Sequence, residues 1–60
     1  MDMLEQIQNL RNVLQEFFDT DTEGMTEEEL DEIDPDSLYG RVLYEIALAD
    51  KTLNDNGVQP

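Results

Sequence analysis

The sequence predicts an all-α fold, a small three-helix domain in which two longer antiparallel helices flank a short acidic central helix. Three observations carry this. Residues 3–18 and 36–54 each repeat apolar side chains at alternating spacings of three and four, the mark of an amphipathic helix. Residues 26–33 open on a helix-capping pattern and close just before a proline. The connections are short, which favours antiparallel packing of the first and third helices with the second bracing them.

In the first helix Met3, Ile7, Leu10, Leu14 and Phe17 form the leading stripe, and Leu4, Val13 and Phe18 widen it. Gln6, Gln8, Asn9, Asn12 and Gln15 cover much of the remaining surface. About two heptads of pattern suit a bundle helix rather than a long coiled coil. Asp2 is placed as N-cap, with Glu5 three residues on as its capping-box partner.

After Phe18 the pattern stops. Asp19, Thr20, Asp21, Thr22 and Glu23 lead to Gly24, and Thr, Asp and Gly favour local hydrogen bonds and turns, so a loop is expected there. Thr26 and Glu29 then form an S/T-x-x-E capping box, while Glu27 and Glu28 face the positive end of the helix dipole. Leu30 and Ile33, helped by Met25, supply the apolar face of this second helix, and Pro35 ends it.

For the third helix Asp34 is the expected N-cap, Pro35 belongs to the first turn, and Asn54, Asp55, Asn56 and Gly57 supply the stop. Leu38, Tyr39, Val42, Leu43, Ile46, Ala47, Ala49 and Leu53 make a stripe wider than one small facing helix needs, with Tyr44 and Leu48 at its edge. A symmetric homodimer through this helix is the common remedy for such an excess. Gly40 costs roughly 1 kcal/mol relative to Ala inside a helix, which close approach of another helix would offset. Residues 1–57 thus read as a single acidic helical domain and residues 58–60 as a frayed tail.

Composition removes most chemistry. Sixty residues support one domain with a small core. Without Cys or His the chain lacks disulfides, thiolate ligands, the commonest metal ligand and the commonest general base. A net charge of −13 argues against direct contact with nucleic acid or an anionic membrane, so a partner should be basic. The opening MDMLEQIQ has no basic region before an apolar run, and LYGRVLYEIALA is interrupted by Arg41 and Glu45 and too short to span a bilayer. The expectation is a soluble cytoplasmic protein.

The acidity is concentrated. Ten of the sixteen carboxylate side chains, Asp19, Asp21, Glu23, Glu27, Glu28, Glu29, Asp31, Glu32, Asp34 and Asp36, lie in one eighteen-residue stretch without a basic residue. Within it FDTDTEGMTEEEL resembles an EF-hand calcium loop, Asp19, Asp21, Glu23 and Gly24 falling at loop positions 1, 3, 5 and 6. Position 12, where the bidentate Glu belongs, is Leu30, and aligning Glu29 there requires deleting a residue. A degenerate calcium binder is therefore a minor alternative, and no metal or other cofactor is expected.

Catalysis is not expected either. Glu28 and Glu32 share a helical face at i, i+4, but a two-turn helix in so small a chain offers no pocket to split their pKa values. Ser37 has no His or Lys base near it in sequence and suits a helix start. Gly24, Gly40 and Gly57 stand apart, so there is no phosphate loop.

A binding role remains. Duplex DNA presents one charge per about 1.7 Å of axis, and a helix advances about 1.5 Å per residue, so dense carboxylates approach the charge density of a phosphate array. The leading expectation is a non-enzymatic inhibitor whose carboxylates occupy the basic groove of a nucleic-acid-binding protein, such as a nuclease, repressor, polymerase or CRISPR complex. In size and composition, though in no particular motif, the chain resembles phage-encoded DNA mimics, including anti-CRISPR and anti-restriction proteins. The alternative is a small helical adaptor or antitoxin-like partner that binds through the apolar stripe of the third helix. In the blandest reading the charge run is only a solvated face.

Overall fold

The computed structural model describes residues 2–58 and contains three helices, α1 (Met3–Asp21), α2 (Glu27–Asp31) and α3 (Leu38–Asp55). The long pair is antiparallel. Phe18, near the end of α1, meets Tyr39 at the start of α3 edge-on, with ring centroids 6.0 Å apart, and Arg11 reaches Asp50 further along both helices. Phe18, Val42 and Ile46 form the core, closed by Leu14, Tyr39, Leu30 and Ile33. The second helix braces the pair through Leu30, with Ile33 adding to the seal just beyond its end.

Two of the expected caps form. Asp2 accepts the Leu4 amide at 3.0 Å, although Glu5 does not complete a box. Thr26 accepts the Glu29 amide at 3.2 Å while Glu29 accepts the Thr26 amide at 3.3 Å, the full reciprocal arrangement. A helix of five residues cannot sustain itself in water, so this box and the packing of half-buried Leu30 against the core hold it.

The first helix runs three residues past Phe18, so Asp19 and Asp21 are helical where a loop was expected. Acidic residues at a helix C-terminus oppose the dipole. Side-chain bonds compensate. The Gln15 amide donates to Asp19 at 2.9 Å, the Tyr39 hydroxyl donates to Asp21 at 3.1 Å, and the buried Thr22 hydroxyl donates to the Phe18 carbonyl at 2.6 Å. The Tyr39 bond joins residues eighteen apart in sequence, beyond the reach of any local pattern.

The start of α3 is also corrected. Asp34 does not cap it. Its carboxylate accepts the Asp36 amide at 2.9 Å and its carbonyl accepts the Ser37 amide at 3.0 Å, so residues 34–37 fold as a turn with Pro35 second, where its fixed φ is favoured. Ser37 is the N-cap, accepting the Gly40 amide at 3.1 Å. Gly40 is packed against this turn and not against another helix. A Cβ there would overlap the Asp34 carbonyl oxygen and lie 2.6 Å from the Pro35 Cα.

At the other end Gly57 takes φ +79°, the left-handed conformation that favours glycine. Its amide donates to Asn54, and that of Val58 donates back to Leu53 at 2.8 Å, a Schellman closure. Val58 therefore belongs to the cap and not to a frayed tail. The other two residues of that tail, 59 and 60, lie outside the described residues.

One small helix cannot cover the stripe of α1. The side facing α3 carries Leu4, Ile7, Leu14 and Phe18, whereas Met3, Leu10, Val13 and Phe17 from the same broad stripe are exposed. Arg11 occupies the contact side instead, its Nε 2.7 Å from one Asp50 oxygen and its Nη2 3.4 Å from the other. That hydrogen bond and the carboxylate charge hold the guanidinium above its usual pKa. The pair adds one directional contact between α1 and α3 to the apolar packing of Phe18, Val42 and Ile46.

Candidate functional site

The crossover, residues 22–37, joins the end of α1 to the start of α3, so the acidic stretch forms one end of a hairpin 36 Å long and 18 by 17 Å across. Asp19 and Asp21 come from the last turn of α1 and Glu23 from the turn after it. Glu27, Glu28, Glu29 and Asp31 come from α2, Glu32 from its C-cap, and Asp34 and Asp36 from the proline turn. All ten are exposed.

Four of them have structural work. The Glu29 carboxylate accepts the Thr26 amide and closes the capping box, Asp34 builds the proline turn, Asp19 takes Gln15 and Asp21 takes Tyr39. The side chains of Glu23, Glu27, Glu28, Asp31, Glu32 and Asp36 make no hydrogen bond or ion pair within the described residues. These six are exposed, and only Glu27 and Glu28, in the first turn of α2, gain from the helix dipole. Among the described residues no three carboxylates converge as metal coordination requires. With Asp19 and Asp21 helical, the ring suggested by the EF-hand resemblance is not assembled as a loop.

Tyr39 ties this end to the core. Its ring packs on Phe18 and Phe17, and the bond to Asp21 raises its phenol pKa, because the carboxylate accepts the proton that ionisation would remove. The raised value means that this bond's stabilisation is fully present below about pH 10, the ordinary tyrosine value. It is lost as pH rises through the folded pKa. In a Tyr44→Phe background, where Tyr39 is the only tyrosine, ultraviolet titration should show ionisation above the ordinary range, and Asp21→Asn should lower it. An unchanged midpoint in Asp21→Asn would show that the bond does not persist in solution.

Sequence reasoning missed Arg11 with Asp50, because a lone Arg between Leu10 and Asn12 carries no sign of a partner thirty-nine positions away. It also missed the state of Arg41. That guanidinium makes no hydrogen bond or ion pair within the described residues, although Glu45 follows one turn later.

Half of the exposed large apolar side chains, Leu10, Leu38, Tyr44 and Leu48, lie along the cleft between the long helices, while Val13 and Phe17 lie around a separate hollow. A shallow groove between the long helices is lined from α1 by Ile7, Leu10 and Leu14 and from α3 by Leu38, Val42 and Leu48. Leu10, Leu38 and Leu48 are 55 %, 62 % and 41 % exposed. None of the described helices is long and apolar enough to cross a membrane.

The fold and the acidic end together define a class, a small all-α hairpin with a capped carboxylate crossover. Comparison with protein-family models, characterised proteins and solved structures gives no match to this chain.

Proposed function

We infer that the protein is a non-enzymatic inhibitor that offers its acidic end to the basic nucleic-acid-binding groove of a target protein, in the manner of a DNA mimic. The observation that carries this reading is the segregation of ten exposed carboxylates to one end of the hairpin with no cation among them. Charge needed only for solubility has no reason to collect there. A capping box, a proline turn and the Tyr39 bond fix the backbone beneath the carboxylates, which lowers the ordering cost of binding. The target class includes nucleases, repressors, polymerases and CRISPR complexes.

The exposed leucines of the groove favour a second reading, an adaptor that binds another protein through α3. Salt separates the two. A pull-down from bacterial lysate should capture a nucleic-acid-binding protein at about 50 mM salt and lose it at about 500 mM, because exposed ion pairs are screened over a few ångströms at the higher value. Capture that survives high salt would favour the apolar interface and reject the charge array.

A further inference from the structure

We propose that the groove between α1 and α3 is occupied by a second copy of this chain, docked antiparallel on α3 about a two-fold axis level with residue 43. Among the described residues four apolar side chains, Phe18, Val42, Ile46 and Leu53, are buried, whereas eight large ones are exposed. Burying one such side chain contributes roughly 1.5–3 kcal/mol, so four supply little against the ordering of sixty residues, and association is the usual remedy.

Charge and register on α3 identify the occupant. The groove edge of this helix reads Leu38, Arg41, Glu45, Leu48, a three-four-three spacing on one face. In an antiparallel pair centred on residue 43, positions whose numbers sum to 86 face each other. Leu38 then meets Leu48 of the second copy, and Arg41 meets Glu45, twice over by symmetry. One register thus matches apolar with apolar and cation with anion. It also supplies a partner that Arg41 lacks among the described residues of its own chain.

The acidic end selects the orientation. A parallel pair would set two sets of ten carboxylates side by side. In the antiparallel pair the start of α3 at Leu38 and its symmetry mate are about 15 Å apart along the axis, at about 1.5 Å per residue, so the two crossovers approach the pair from opposite ends. The proposal does not rest on the inhibitor reading, since the carboxylate ends stay free in the dimer.

Sedimentation equilibrium over micromolar concentrations tests it. The chain should sediment at twice its 6.9 kDa mass. Arg41→Glu and Glu45→Arg should each weaken the dimer by about tenfold or more, since each turns two attractive pairs into repulsive ones. These variants change the net charge in opposite directions, so a nonspecific charge effect would weaken one and strengthen the other. Mixed one to one, the two variants should form a heterodimer in which both pairs are attractive again, and Arg41→Glu/Glu45→Arg should restore the homodimer. Both sites are exposed, and circular dichroism should report unchanged helicity. A monomer at all concentrations, indifference to either reversal, or a mixture that fails to associate would overturn the proposal.

Discussion

Changing Glu27, Glu28, Asp31 and Glu32 to Lys together should abolish capture and inhibition of the target while leaving the fold in place. All four side chains are exposed and make no hydrogen bond or ion pair within the described residues, so no internal bond is lost. The net charge falls from −13 to −5, four reversals of two charges each. An exposed ion pair is worth about 0–1 kcal/mol, so single substitutions should be weak. Four reversals replace attraction with repulsion and lose about 4 kcal/mol, nearly a thousandfold in affinity, with a slower association rate as steering disappears. Helicity should fall only slightly, through weaker dipole interactions at the start of α2, because α1 and α3 hold most of the helix. Titration calorimetry and stopped-flow binding measure both terms. Leu48→Asp is the matching apolar control, since Val42 and Ile46 are core residues whose replacement would unfold the chain. Full activity in the quadruple variant, with loss in Leu48→Asp but not in Arg41→Glu, which separates the two copies without removing an apolar side chain, would replace the charge array by the apolar interface.

Gly40→Ala should destabilise the protein although alanine is the better helix former. Propensity favours alanine by about 1 kcal/mol. Against that, the new Cβ would overlap the Asp34 carbonyl and crowd the Pro35 backbone. These are main-chain atoms of a turn held by Asp36 and Ser37, so they cannot rotate aside as a side chain would. Overpacking typically costs about 1–3 kcal/mol, and displacement of the turn also disturbs the Ser37 cap, so a net loss of about 2 kcal/mol is expected. For a domain of this size that lowers the melting temperature by about 10 °C. Gly24→Ala is the contrasting case. Nothing lies within 4 Å of its added carbon and its φ is not positive, so its melting temperature should hold or rise slightly. A higher melting temperature for Gly40→Ala would show that the turn does not pack on α3 as described.

What the sequence by itself determined was whatever depends on neighbours along the chain. Three-four spacing specified both long helices, Thr26 with Glu29 specified the start of α2, and Gly57 specified the end of α3. Each of these rests on groups within one or two turns of each other. The location of the acidic stretch between the long helices was equally legible, because a short connection between antiparallel helices must lie at one end.

Tertiary structure decided the rest. At the end of α1 Asp21 is tied to Tyr39, and beside the contact face that carries Ile7, Leu14 and Phe18 Arg11 is tied to Asp50, both contacts between residues far apart in sequence. The role of Gly40 depends on a turn that passes over it, and the displacement of the cap from Asp34 to Ser37 depends on that same turn. A broad apolar stripe contains several faces of nearly equal hydrophobicity. Local periodicity shows that one must be buried, and only directional polar bonds and steric contact between distant segments select which.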